Sequence, residues 1–303
     1  MKNYNQISVT VTPGISVGNE NFDKFISTDG GLQNGGFIFL TGTPGAGKTT
    51  LAKVFQKGMP NTISALYCRE SLAKSVQKQT KRVVVDHENA FVSDELDCPH
   101  FLDFMKAAEE KNAEVLIVDS LQSVAKDFRK SEKLTKDDSL MRVVSILIEW
   151  KNRTNGVVIL IGQVNKDGDF SGINEIKHMA DCHLHLASKK GSPIRTMETN
   201  KNRFGSDDVM YYEFVSTPEV IEIFTEKEFE LRGKNIKFDD YLLKVVADFI
   251  SCVDKKNPSY KEFYAEYKSN ITAICQEKEG ASKFEVAIVV SQMINELAKK
   301  YDL

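Results

Sequence analysis

The chain has 303 residues, 41% hydrophobic, 27% charged and 9% aromatic, with a formal net charge of −3. This fits one large or two modest globular domains with ample core, and argues against a surface coated in nucleic-acid-binding charge. Cys68, Cys98, Cys182, Cys252 and Cys275 form no C-x-x-C pair, which argues against a zinc module or a disulfide frame and for reduced, mostly buried thiols. The N-terminal residues lack the apolar centre of a signal peptide and no run approaches membrane-spanning length, so a cytoplasmic chain without membrane contact is expected.

Taken in order, Ile7, Val9 and Val11 alternate as an edge strand that stops at Pro13-Gly14, and 21–26 reads as a short helix. After a glycine-rich turn at 30–36, Phe37-Ile38-Phe39-Leu40 is a buried strand. Gly42-Thr43-Pro44-Gly45-Ala46-Gly47-Lys48-Thr49 then fits G-x-x-x-x-G-K-[ST], and from Thr50 helical spacing follows with Leu51, Val54 and Phe55 on one face. Strand, glycine-rich turn and helix is the geometry that aims backbone N–H groups at phosphate oxygens. Residues 42–50 are therefore read as the nucleotide site. Lys48 serves the β- and γ-phosphates and the Thr49 hydroxyl serves Mg²⁺, making ATP and Mg²⁺ the expected cofactors.

Ser64–Cys68 reads as a second strand, ending at Arg69-Glu70-Ser71; a polar, helix-prone segment runs to Lys81, and Val83-Val84-Val85 is a short apolar run. A helix is expected over 101–111. The apolar strand 114–118 closes in Asp119-Ser120, a pattern that places a carboxylate, Asp119, beside the loop to hold Mg²⁺ through water. Residues 126–136 are polar and basic and read as a mobile loop, followed by a long helix over about 138–151. Strand 157–161 ends at Gly162-Gln163, and a loop over 164–173 leads to a helix at 174–180. Strand 183–186 follows, then a hairpin (194–200 and 209–214) and a last strand at 220–224. His183 and His185 alternate on their strand with Cys182 facing away, which argues against a metal cluster there.

The alternation predicts an α/β fold: a mainly parallel central sheet flanked by helices, with antiparallel strands added at one edge. The expected division is an ATPase core over 1–228, a linker at 229–237 and a helical C-terminal domain over 238–303. Capping boxes at Ser259/Glu262 and Ser282/Glu285 open two of its helices.

In chain order, the P-loop, Asp119-Ser120, Gly162-Gln163-Val164-Asn165-Lys166-Asp167-Gly168, Lys177-His178-Met179-Ala180-Asp181 and Lys201-Asn202-Arg203-Phe204-Gly205 resemble the bacterial RadA (Sms) family. Its members are RecA-like ATPases of recombination and repair, related to DnaB helicases and KaiC. The resemblance covers roughly residues 7–225, and K-N-R-F-G is its most specific string. It implies that Glu70 positions the attacking water, against the alternative of a solvated carboxylate. It implies that Gln163 senses the γ-phosphate, where plain strand-end capping is the rival. Lys201 and Arg203 would complete a neighbouring subunit's site in a ring, expected to be a hexamer, rather than form a merely basic turn.

The stretches 126–139 and 164–175 match the family's DNA-facing loops. Lys126, Arg129, Lys130, Lys133, Lys136 and Lys166 would meet single-stranded DNA phosphates and Phe170 would stack on a base, unless these lysines are simply solvated. The chain departs from RadA in three ways: it has no counterpart of the four-cysteine zinc module, a helical segment stands in place of the Lon-protease-like domain, and Arg69-Glu70-Ser71 replaces a Glu-Glu-Ser. A phage or mobile element is one expected source. A second reading is a KaiC-like nucleotide-gated switch that binds a protein partner through 238–303.

Overall fold

The computed structural model describes residues 13–69, 83, 85–94, 96, 98–163, 171–188, 194–214 and 221–225. The chain divides into two compact units, Met1–Phe224 and Thr225–Leu303. The expected linker and C-terminal helices lie outside the described residues, as do the strand at 7–11, the segment 71–81, Glu70, and the loop carrying Lys166 and Phe170.

The central strands β1 (Phe37–Gly42), β2 (Ser64–Cys68), β4 (Val115–Asp119) and β5 (Val157–Ile161) are buried at every position. Such unbroken apolar runs belong to strands covered on both faces. With β3 (Ala90–Asp94), β6 (Cys182–Ser188), β7 (Ile194–Asn202), β8 (Val209–Phe214) and β9 (Ile221–Thr225), the described strands form one sheet in the order β3-β2-β4-β5-β1-β6-β7-β8-β9. Pairings from β3 to β6 are parallel, and β6-β7 and β7-β8 are antiparallel. The predicted α/β fold with an antiparallel edge is what the chain adopts.

Successive strand residues feed opposite cores, as the period of two requires. Ile38 and Leu40 join Leu66, Ile117 and Ile159 beneath α1 (Glu20–Ile26) and α2 (Lys48–Gly58). Phe37 and Phe39 join Tyr67, Leu116 and Leu160 on the other face. That face is covered by α3 (Phe101–Glu110), α4 (Leu121–Ser131), α5 (Lys136–Thr154) and α6 (Ser171–Met179).

Two expectations need correction. Residues 126–136 are largely helical rather than one loop: Lys126, Arg129 and Lys130 lie within α4, Lys136 opens α5, and only 132–135 connect the two. Leu121, Val124, Ala125 and Phe128 recur at i, i+3, i+4 and i+7 and are all buried, which drives helix formation. Reading the segment from Lys126 hides that stripe. Thr135 caps α5 by accepting from the Asp138 N–H at 3.1 Å, so the helix starts earlier than its apolar residues suggest. The strand beside β2 is Ala90–Asp94, which the sequence pattern does not single out. Its alternation is muted because it is an edge strand, with Val92 43% exposed.

Candidate nucleotide-binding site

The parallel register sets the C-terminal ends of the central strands side by side. Cys68 pairs with Asp119, Asp119 with Ile161, and Leu40 with Ile161. The loop leaving β1, Asp119 at the end of β4 and Gln163 just past β5 therefore open onto one crevice, where doubly wound sheets bind ligands. A cleft of about 420 Å³ is lined there by Gly42, Pro44, Gly45, Gly47, Lys48, Thr49, Thr50, Asp119 and Gln163. That lies within the usual range for small-molecule sites, about 300–1,000 Å³.

Gly47, at φ 93°, is the N-cap of α2. A Cβ there would meet the Phe214 ring at 2.5 Å, so both the backbone and the space require glycine. Lys48 Nζ donates to the carbonyls of Gly42 at 2.8 Å and Thr43 at 3.2 Å, which folds the ammonium over the loop. The Thr49 hydroxyl donates to Asp119 Oδ2. Asp119 is only 6% exposed. The Thr43 hydroxyl is buried and finds no hydrogen-bond partner among the described residues. A glycine-rich loop opening a helix N-terminus, one ammonium, and a hydroxyl beside a buried carboxylate form the set of groups that a nucleoside triphosphate with Mg²⁺ requires. The residues fit that group: the loop and Lys48 would hold the phosphates, and Thr49 with Asp119 would hold the metal. Bound there, Mg²⁺ would supply neutralisation of the charge on the β- and γ-phosphates.

Several supports carry no sequence signal. The buried Tyr212 hydroxyl on β8 donates to the Ala46 carbonyl at 2.7 Å, and burial pushes its pKa up, keeping it a neutral donor. The Arg195 guanidinium lies 4.4 Å from the centre of the Phe214 ring. The antiparallel edge thus props the P-loop from below. Lys53 of α2 is 6% exposed and desolvation lowers its pKa, opposed by nearby Cys68 and Asp119. Arg69 donates through Nε to Asp127 on α4 at 2.7 Å, and this bond raises its pKa.

Lys201 and Arg203 lie elsewhere. Asn202 registers with Cys182, and Cys182 with Ile38, so the K-N-R-F-G string sits at the N-terminal end of β1. From there to Gly42 is roughly 13 Å along the strand, away from the chain's own cleft. Lys201 Nζ donates to the carbonyls of His178 and Ala180 at the end of α6, each at 2.6 Å. Partial burial, with Arg203 beside it, lowers the Lys201 pKa, while Asp181 opposes the shift. Arg203 donates to Asp181 Oδ1 at 2.8 Å, with its side chain 56% exposed. Asn202 donates to the carbonyl of Ile26 at 3.2 Å, and the Phe204 carbonyl accepts from the Thr28 N–H at 2.8 Å. At Gly205 a Cβ would stand 2.6 Å from the Phe25 carbonyl oxygen. Most of this string therefore docks the turn onto α1, and Arg203 is its most exposed member.

Lys126, Arg129, Lys130 and Lys133 are all exposed and recur at i, i+3, i+4 and i+7, opposite the apolar stripe of α4. Lys133 lies just past the helix, at φ 55°. Lys136 is exposed at the start of α5.

The sheet order, the P-loop after β1 and the acidic end of β4 give the chain a RecA-like fold with a P-loop nucleotide site. A family model described as an AAA domain matches residues 31–166. In sequence the chain is similar to the DNA repair protein RadA: 28% identical to that of Haemophilus influenzae over 203 residues, covering 66% of this chain and 43% of the relative. Identity to RadA of Aquifex aeolicus is also 28%, over 193 residues, covering 63% of this chain and 42% of the relative. The match thus spans less than half the length of these curated relatives. Among solved structures, a KaiC-like protein of Pyrococcus horikoshii has the same fold, with a TM-score of 0.57 and 21% identity over 70% of this chain and 98% of its own. No helix among the described residues is long and apolar enough to cross a membrane.

Proposed function

We propose that the chain is a Mg²⁺-dependent ATP hydrolase that assembles as a ring, expected to be a hexamer, and works on single-stranded DNA in recombination, repair or replication. The observation that carries hydrolysis is the joining of Thr49 and Asp119 in one cleft with Lys48. Lys48 neutralises the β- and γ-phosphate oxygens. Thr49 and Asp119 orient the metal, and Gln163 reports the γ-phosphate from the end of β5. Glu70 is assigned to the attacking water by the resemblance to RadA, in the Arg69-Glu70-Ser71 string that follows β2 in sequence. Ring assembly is supported by the placement of Lys201 and Arg203 at the end of the sheet away from their own cleft, as residues that reach another subunit's nucleotide would need to be. DNA contact is supported by the basic stripe of α4, together with Lys136, Lys166 and Phe170, and by the similarity to RadA.

ATP turnover with and without single-stranded DNA, at low and moderate salt and with Lys48→Ala as the blank, tests this. Stimulation that fades as salt rises is the expected result, because phosphate contacts release counterions. Turnover that ignores DNA would move the reading to a nucleotide-gated switch binding a protein partner through residues 238–303. The structural likeness to a KaiC-like protein favours that second reading.

A further inference from the structure

Gln163 is held by a residue that nothing in the motif pattern singles out. The side-chain amide of Gln122 closes on both backbone groups of Gln163: Nε2 donates to its carbonyl at 2.9 Å, and Oε1 accepts from its N–H at 3.0 Å. A primary amide has one acceptor end and one donor end, and here both are used on one residue, as a neighbouring strand would use its backbone. Gln163 needs such a partner because β5 ends at Ile161 while β4 ends at Asp119, its register mate. Past that level no strand among the described residues remains on the β4 side to pair with Gln163.

Gln122 stands three residues after Asp119, in the first turn of α4, where side chains still reach the strand ends. The same helix carries Lys126, Arg129 and Lys130 on its exposed face. It is anchored to the end of β2 by the bond between Arg69 and Asp127. One side chain therefore joins the metal-orienting strand, the phosphate-facing residue and the basic helix.

We infer that Gln122 is a positioning residue: it fixes the Gln163 backbone so that the Gln163 side chain faces the γ-phosphate, and it passes any displacement of Gln163 to α4. This rests on the hydrolase reading. It differs from a bland structural role in what it predicts. A residue that only stabilises the core would change melting temperature and leave turnover by the folded fraction intact. A positioning residue changes kcat while nucleotide affinity, set mainly by the P-loop, stays put.

The test uses the full chain with Gln122→Met, which keeps volume and removes both hydrogen bonds, and Gln122→Glu, which keeps an acceptor for the N–H but turns a second oxygen toward the carbonyl. Two readouts are taken: steady-state ATP turnover, and amide hydrogen exchange at Gln163 with a non-hydrolysable ATP analogue and with ADP. Both variants should lower kcat by about tenfold with KM within about twofold, and in Gln122→Met, which removes the acceptor, exchange at the Gln163 amide should be faster by about tenfold. The wild type should also show an analogue-versus-ADP difference in exchange across 121–131 that the variants lose. Unchanged kcat, or kcat and KM failing together, overturns the inference. So does an unaltered Gln163 amide in Gln122→Met. If the wild type shows no turnover that depends on Lys48, the hydrolase reading fails separately. The exchange data then decide alone whether Gln122 holds Gln163 and moves α4.

Discussion

Asp181→Ala should be among the most damaging substitutions in the described core, although no sequence motif assigns Asp181 any chemistry. Its Oδ2 accepts from the Phe37 N–H at 3.0 Å and stands 3.4 Å from Lys151 Nζ, while Oδ1 accepts from Arg203 at 2.8 Å. The Asp181 and Lys151 side chains are only 14% and 16% exposed. A hydrogen bond between a sequestered amide and a carboxylate contributes about 1.5–3 kcal/mol. Lys151 keeps the Gly35 carbonyl at 2.8 Å, so loss of its ion pair adds only about 1 kcal/mol. The exposed pair with Arg203 adds under about 1 kcal/mol. The sum is about 3 kcal/mol, which in a unit of this size lowers the melting temperature by roughly 6–12 °C. Thermal unfolding followed by circular dichroism reads this directly. Asp181→Asn keeps an acceptor for Phe37 and should lose about half as much. Arg203→Ala should shift the melt by no more than roughly 2–4 °C. An Asp181→Ala melt within about 2 °C of wild type would refute the reasoning, as would an Arg203→Ala variant equally destabilised.

If Arg203 acts on a neighbour, Lys48→Ala and Arg203→Ala should each be inactive alone. Mixed in equal amounts they should regain up to about a quarter of wild-type turnover, since each dead partner supplies what the other lacks; no recovery in a verified mixed assembly would remove the shared site. Tyr212→Phe strands the Ala46 carbonyl and should cost about 1–3 kcal/mol, seen as a lower melt and weaker binding of a fluorescent ATP analogue; identical binding and melt would contradict the prop beneath the P-loop. Burial pushes the Cys68 and Cys182 thiols from an ordinary 9.0 up to about 12, with Asp119 and Asp181 respectively adding to the rise. A raised folded pKa gives stability that is full below the unfolded value and is lost as pH climbs, so melts should decline between about pH 9 and about pH 12. Near pH 8, a thiol reagent should label neither residue before unfolding, and prompt labelling of either would overturn the assignment.

Much of the fold could be read because burial on both faces writes itself into strands such as 115–119 and 157–161 as unbroken apolar runs. The P-loop and Asp119 were legible for a related reason: their chemistry depends on local backbone geometry, so residue types and spacing are tied together. What could not be read depends on contacts distant in sequence. Tyr212 supports Ala46 across 166 residues, and Asp181 receives the Phe37 amide across 144. The basic segment after Asp119 reads as a loop in sequence because its apolar stripe begins before its charges do. The resemblance located the K-N-R-F-G turn, but Asn202 and Gly205 serve its packing onto α1, which residue types alone do not distinguish from chemistry.

That basic segment, being helical, changes what binding would look like in a calorimeter. A charged loop orders as it grips, and the ordering appears as unfavourable entropy and a large negative heat-capacity change. Lys126, Arg129 and Lys130 already share one rigid face. A polyanion meeting them would release counterions against a surface that needs no folding, with a small heat-capacity change and a steep, linear dependence on the logarithm of salt.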